Sequence, residues 1–84
     1  MTSNGLRYLL GHPTRKGPVF IAQSPSGRFH VVWRGEIIDS AHDVVAAVDN
    51  VALGAVPFAS DGTDFSTLDI SHDIGDWVPA DELR

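Results

Sequence analysis

The chain has 84 residues, no cysteine, 43% hydrophobic residues and a formal net charge of -5. This length allows one domain with one core, and the absence of cysteine excludes disulfide bonds and thiolate-bound zinc. No window approaches the roughly 18 apolar residues of a membrane span, and the first residues lack a signal-peptide pattern. We therefore expect one cytoplasmic domain over residues 1–84, with no membrane association and with frayed ends at residues 1–5 and 80–84.

The charges are divided along the chain. Five of the six basic residues precede Gly35, whereas all eleven acidic residues follow it. The first part therefore has a charge near +5 and the second part a charge near -10. Because an electric field depends on where charges lie, this division says more about partners than the net charge does.

Short apolar runs separated by turn residues predict an antiparallel meander in the first half of the chain. Residues 6–10 form the first apolar run, which Gly11 and Pro13 end. The β-branched and aromatic run Val19–Gln23 predicts a second strand, and residues 24–27 predict the tight turn after it.

Alternation is clearest in residues 28–33, which predict the third strand. It places Phe29, Val31 and Trp33 on one face, and on the other face Arg28, His30, Val32 and Arg34. We expect the first set to pack against the core and the second set to face outward. The next turn is predicted at Arg34 and Gly35, followed by a short strand over residues 36–39.

Residues 40–53 predict a helix. Ser40 is a suitable N-cap because its hydroxyl can accept a hydrogen bond from a free amide of the first turn, and Asp43 favours the helix start. Apolar residues at spacings of three and four predict one buried stripe: Ala41, Val44, Val45, Val48, Val51 and Ala52. Gly54 supplies a left-handed helix end. A buried strand over residues 44–48 is the competing interpretation, but the pattern does not alternate.

The acidic remainder predicts an irregular segment that apolar residues hold against the domain. These residues are Pro57, Phe58, Phe65, Leu68, Ile70, Ile74 and Trp77. A turn is expected at residues 60–63 and a helical turn within residues 73–78. Together the elements predict an α+β domain with a three- or four-stranded antiparallel meander, one helix packed on one face and an irregular acidic C-terminal segment.

Three stretches of the chain resemble a small family of bacterial proteins. They are His30-Val31-Val32-Trp33-Arg34-Gly35-Glu36, the Ala- and Val-rich helix of residues 40–54, and the closing motif D-G-T-D-x-S-x-L-x-I-x-x-D-x-x-x-W over residues 61–77. The resemblance covers about residues 28–78 and departs at Asp69-Ile70-Ser71, where the family tends to Gly-Ile-Pro. It implies the meander-and-helix fold. The family has no assigned activity, so the resemblance implies no catalytic residue.

The acidic stretch and the four histidines are the candidate metal ligands. An EF-hand needs alternating acids, a glycine and a final Glu, and this spacing is missing among Asp61, Asp64, Asp69, Asp73 and Asp76. We interpret most of these residues as turn formers and helix-start acids that accept local backbone amides, with a calcium site as the weaker alternative. The histidines lack i, i+4 pairing, so we expect exposed polar side chains and no metal site.

No motif predicts catalysis or a bound cofactor. The chain contains no cysteine nucleophile, no G-x-S-x-G elbow, no Walker loop and no G-x-G-x-x-G. The eight glycines are spread singly, as turn residues are. We therefore expect a protein without enzymatic activity and without a cofactor.

Basic side chains of the third strand and an earlier loop form the best candidate contact surface. These residues are Arg15, Lys16, Arg28, His30 and Arg34. Guanidinium groups bind oxyanions bidentately, so this surface suits an anionic partner. The alternative is that these groups pair with carboxylates of the acidic tail in the same molecule, where each exposed pair contributes about 0–1 kcal/mol.

The expected function is that of a protein-interaction or regulatory module whose protein partner the sequence does not identify. One alternative is polyanion or nucleic-acid binding through the basic face, which the acidic remainder disfavours by long-range repulsion. Another is an acidic decoy that inhibits a nucleic-acid-binding protein. The complementary charges of the two parts also suggest a homodimer, with Trp33 or Phe58 as an anchor.

Overall fold

The computed structural model describes residues 5–84. Four strands occupy the first half of the chain, a helix follows, and a short fifth strand lies near the C-terminus. The elements are β1 (Arg7–His12), β2 (Val19–Gln23), β3 (Phe29–Trp33), β4 (Glu36–Ala41), α1 (Val44–Ala52) and β5 (Val78–Pro79). Short 3-10 turns lie at Phe65–Thr67, Ile74–Asp76 and Ala80–Glu82.

The five strands form one antiparallel sheet in the order β4-β3-β2-β1-β5. This confirms the predicted α+β class and meander, and β5 adds one strand to the three or four expected. β1 and β4 run further than predicted, to His12 and Ala41, because both pair with a neighbouring strand up to these residues. Pairing between strands therefore overrides the local turn signal of Gly11.

Arg34 and Gly35 form the two-residue turn between β3 and β4. Their φ angles are 51° and 80°, so both residues adopt the left-handed conformation. Two left-handed residues make a type I′ turn, whose twist matches that of the flanking strands. The turn sets the register in which Trp33 pairs with Glu36, and a bulge at Ile38 shifts the register further along β4.

The main core lies on the face of the sheet that packs against α1. Val31 and Trp33 are buried in this core, and the half-buried Phe29 packs against it. The predicted inward-facing set of β3 is therefore confirmed. The tail completes this core, since the rings of Trp33 and Phe65 meet edge to face with their centroids 5.4 Å apart.

The helix starts later than the sequence predicts. Asp43 is its N-cap, and the Asp43 carboxylate accepts a hydrogen bond from the Ala46 amide at 2.7 Å. Ser40 lies within β4, so its predicted capping role is wrong. The predicted apolar stripe is also wrong at Val45, which is 53% exposed, whereas Ala47 is buried in the core.

The helix ends through Gly54, as predicted. This glycine has a φ of 72°, and the following amide of Ala55 donates to the carbonyl oxygen of Asn50 at 2.8 Å. A Cβ at Gly54 would also collide with the side chain of Ser66. Both the backbone angle and the close approach of the tail therefore require glycine here.

Three aspartates of the acidic tail start tight turns, which confirms their predicted role. Asp61, Asp64 and Asp73 each accept through Oδ1 from the amide two residues later, at 3.0, 3.0 and 2.9 Å. Asp69 has a φ of 55°, the left-handed conformation that glycine adopts most easily and that Asp tolerates better than most residues.

Most of the predicted apolar anchors hold the tail across the domain. The buried anchors are Phe65, Leu68, Ile70 and Trp77. Ile74 and Phe58 are 40% and 65% exposed, and Pro57 is exposed as well, so these three residues are not buried as the sequence predicts. The predicted helical turn is present as Ile74–Asp76.

The C-terminal residues pack against the sheet where the sequence analysis expects a frayed end. β5 pairs with β1, and the following residue Ala80 is fully buried. The guanidinium of Arg84 lies 4.5 Å from the centroid of the Tyr8 ring. At the other end Gly5 is exposed, and the remaining residues predicted to fray, 1–4, lie outside the described residues.

Candidate interaction surface

The loop between β1 and β2 lies at the same end of the sheet as the turn between β3 and β4, because Val19 pairs with Trp33. This end brings together three of the five predicted contact residues, Arg15, Lys16 and Arg34. The Arg34 guanidinium donates to the backbone carbonyl oxygen of Lys16 at 2.6 Å. This hydrogen bond ties the two connections to each other.

The Arg34 side chain contacts residues of the helix side of the sheet. Its guanidinium carbon lies 4.9 Å from the centroid of the Trp33 ring, and Nη1 forms an ion pair with Asp61 at 3.1 Å. Arg34 belongs to the left-handed turn, so it does not share a face with His30 as strand alternation predicts. The expected pairing of basic residues with tail carboxylates is confirmed for this residue.

Asp61 accepts hydrogen bonds from both parts of the chain. The hydroxyl and amide of Thr63 and the indole N–H of Trp33 lower the pKa of Asp61 from 3.8 to about 2, and the charge of Arg34 acts in the same direction. The indole nitrogen lies 3.2 Å from Oδ2. These donors stabilise the charged carboxylate, so Asp61 and Arg34 are engaged in holding the tail on the sheet.

Arg15 and Lys16 make different contacts. Arg15 donates through Nη1 to the carbonyl oxygen of Thr67 at 2.6 Å, so it holds the tail through a backbone group instead of a carboxylate. The backbone amide of Lys16 donates to the Thr14 hydroxyl at 3.1 Å. The Lys16 ammonium makes no hydrogen bond or ion pair within residues 5–84.

Arg28 and His30 lie at the opposite end of β3. Arg28 is exposed ahead of the strand, and its guanidinium forms no hydrogen bond or ion pair in the part of the chain that the structure describes. His30 lies on the face away from the helix, where its Nδ1 is 2.7 Å from the Ser40 hydroxyl. The five basic residues therefore divide between the two ends of β3 and do not form the continuous basic face that the sequence predicts.

A cavity of about 340 Å³ adjoins the end of the sheet near Arg28. Its lining consists of Gly5, Arg7, Gln23, Ser24, Pro25 and Gly27. Arg7 donates to the Gln23 side chain at 3.4 Å and is the charged residue among these described lining residues. The cavity therefore brings no acid and base together.

The face of the sheet away from the helix is apolar and partly covered. Ala22 and Val32 are buried on this face. The rings of Tyr8 and Phe20 meet edge to face with centroids 5.2 Å apart, and Leu83 approaches the same side of β1. The sequence predicts that the side chains of this face point outward, but the C-terminal residues cover part of it.

Sequence reasoning missed the free edge of β4, which pairs with β3 on one side only. Next to a two-residue turn the first pair exchanges hydrogen bonds and the following pair does not. Ile37 belongs to the second pair, and the bulge at Ile38 makes Ser40, instead of Asp39, the next residue of this kind. The backbone groups of Ile37 and Ser40 therefore point away from β3, and within residues 5–84 no other segment bonds to them. The available signal was strand order, because the last strand of a meander is an edge unless the chain returns to it.

Ile37 adds an apolar side chain to this edge. It belongs to the large apolar side chains that the described residues expose: Ile37, Val45, Leu53, Phe58 and Ile74. Ile37 is 47% exposed and pairs with the buried Val32 on the face away from the helix. The free edge therefore presents both backbone groups and apolar surface.

Between residues 5 and 84, no three His, Asp or Glu side chains come together as a metal site requires. No helix of this part of the chain is long and apolar enough to cross a membrane.

Comparisons with models of protein families, with curated proteins and with solved structures find no match for this chain. The resemblance to a bacterial family therefore stays a prediction. The function is inferred from the surfaces of the domain itself.

Proposed function

We propose that this chain is a non-catalytic protein-binding domain that pairs an extended segment of another protein with the free edge of β4. The supporting observation is the set of outward backbone groups at Ile37 and Ser40, to which no other segment bonds within residues 5–84. Peptides that add a strand to a sheet bind through such groups, and contacts on the two faces determine which peptide is chosen.

The edge is long enough for a peptide to form several backbone hydrogen bonds. β4 has six residues, Glu36–Ala41, which span about 20 Å. A segment paired along it also covers the exposed side chain of Ile37 on the face away from the helix. Backbone pairing and apolar burial therefore occur in the same binding step.

Charge favours a different chain as the occupant over a second copy of this one. The chain has a net charge of -5, and β4 itself contains Glu36 and Asp39. Two copies paired edge to edge would bring these acids together, and like charges on neighbouring strands are destabilising. The homodimer suggested by the sequence is therefore the less favoured occupant of this edge.

Selection from a library of displayed peptides long enough to span β4 tests the proposal. The targets are the native domain, Ser40→Pro and Ser40→Ala. Proline removes the outward amide without removing a bond to β3, and alanine removes only the hydroxyl. We expect the selected peptides to bind Ser40→Ala within about twofold of the native domain and Ser40→Pro at least about tenfold more weakly, because a peptide carbonyl is left unpaired.

Ile37→Lys is an independent variant, because Ile37 is half-exposed and its replacement does not open the main core. Circular dichroism establishes that each variant is folded. Failure to enrich any peptide, or equal binding to the native domain and to Ser40→Pro, would contradict strand addition. A dimer in sedimentation velocity that Ser40→Pro abolishes would instead identify a second copy as the occupant.

A further inference from the structure

Two side chains of β4 lie on opposite sides of the free edge. Ile37 points to the face away from the helix, where it is 47% exposed. The carboxylate of Asp39 lies on the helix side, 3.5 Å from the side-chain nitrogen of Asn50. Residues two apart share a face in a regular strand, and the bulge at Ile38 is the reason that these two do not.

The Asp39 carboxylate forms no ion pair within residues 5–84. The basic residues at the two ends of β3 do not neutralise this carboxylate. Arg34 pairs with Asp61, and Arg28 lies just before the first residue of β3 and forms no ion pair within residues 5–84. Glu36 adds a second acid to the same strand. The free edge is therefore acidic on its helix side and presents the apolar side chain of Ile37 on the other side.

We propose, on the basis of the strand addition proposed above, that the partner segment has a Lys or Arg directly next to an apolar residue. The backbone groups of Ile37 and Ser40 set the positions of two partner residues. One further partner residue lies between these two positions, because Ile38 and Asp39 of β4 together face a single residue of β3, and the bound segment follows the same spacing. Side chains alternate along a strand, so this middle residue points to the helix side beside Asp39.

The chemistry of each position follows from its neighbour on β4. The middle residue lies beside the Asp39 carboxylate, which has no ion pair within residues 5–84, and a pair of opposite charges on adjacent strands is stabilising. The residue beside Ile37 gains from covering apolar surface. The same arrangement acts against a second copy, because Asp39 of each chain would face the acidic edge of the other.

Reversal of the charge at Asp39 tests this pattern. A synthetic peptide of the proposed pattern, and its copy with the basic residue replaced by Glu, are titrated against the native domain, Asp39→Lys and Glu82→Lys. Glu82→Lys makes the same change of charge at an exposed residue of the last turn. We expect Asp39→Lys to weaken the basic peptide about fivefold or more and to tighten the Glu peptide, while Glu82→Lys changes each affinity less than about twofold.

The results separate the charged pattern from strand addition itself. If selected peptides lose affinity for Ser40→Pro but respond alike to Asp39→Lys and Glu82→Lys, the charged pattern is overturned and strand addition stands. If Ser40→Pro has no effect, both are overturned. Asp39→Asn is a milder variant. We expect the affinity of the basic peptide for Asp39→Asn to depend less on salt concentration than its affinity for the native domain. Unchanged salt dependence would also overturn the charged pattern.

Discussion

Asp61 joins the acidic tail to the turn between β3 and β4. Its Oδ1 accepts from the Thr63 amide at 3.0 Å, and its Oδ2 accepts from the Trp33 indole at 3.2 Å and the Arg34 guanidinium at 3.1 Å. These contacts favour the ionised carboxylate, so the pKa of Asp61 is about 2 instead of 3.8. The connection between tail and turn therefore depends on the charge of one side chain.

Replacement of Asp61 by Asn should remove a pH-dependent part of the stability. A carboxyl whose pKa falls on folding stabilises the fold fully above its unfolded value of 3.8, and this contribution is lost as the pH falls toward about 2. In urea unfolding, we therefore expect the free energy of unfolding of the native protein to fall more steeply between about pH 4 and pH 2 than that of Asp61→Asn. Asp81→Asn corrects for the general effect of one lost charge. Equal slopes for the native protein and Asp61→Asn would contradict this role.

The local contacts of Asp61 are predictable from the sequence, whereas its distant contacts are not. An Asp whose carboxylate accepts a hydrogen bond from the amide two residues later is a recurrent turn arrangement, so the contact with Thr63 is predictable from the local sequence. Trp33 and Arg34 lie 28 and 27 residues away in sequence. Only the course of the tail across the sheet brings them to Asp61. Strand alternation also assigns Arg34 to the face of His30, whereas the turn that the sequence predicts at Arg34 and Gly35 removes it from that face.

At the scale of the elements, the start of α1 shows a competition between strand and helix. Ser40 and Asp43 are both good capping residues, so local preference does not choose between them. β4 extends to Ala41, which pairs with Phe29 and is buried in the core. This long-range pairing places Ser40 in the strand and leaves Asp43 to cap the helix. Elements with a clear apolar period were predictable, but their boundaries depend on partners elsewhere in the chain.

Asp43→Ala should destabilise the protein by about 0.5–2 kcal/mol, because the Ala46 amide at the helix start loses its hydrogen-bond acceptor. Ser40→Ala should cost no more than about 0.5 kcal/mol, because Ser40 is exposed and its hydroxyl bonds only to His30 within residues 5–84. Urea unfolding at neutral pH measures both values under the same conditions. A larger loss for Ser40→Ala than for Asp43→Ala would place the functional cap at the residue that the sequence analysis favours.

At the scale of the whole molecule, the two edges of the sheet differ in how they are covered. β5 pairs with the outer side of β1, and the turn Ala80–Glu82 packs after it. β4 has no strand beyond it within residues 5–84. β5 was not predictable, because a strand of two residues has no periodic pattern and forms only where β1 offers free backbone groups. The difference between the edges is the reason that β4, and not β1, is the proposed binding edge.

Removal of residues 80–84 should destabilise the domain by about 2 kcal/mol or more, because Ala80 is fully buried and Leu83 is half-buried. Leu83 also approaches Gly11 so closely that a Cβ on that glycine would lie 2.9 Å from the Leu83 Cδ1 atom. Hydrogen exchange should therefore accelerate in β1 more than in β3, since β1 loses the cover. Asp81→Ala, a change at an exposed residue of the same segment, should stay within about 0.5 kcal/mol of the native protein. If the shortened chain unfolds at the same urea concentration as the native protein, the C-terminal residues behave as the frayed end expected from the sequence and do not close the sheet.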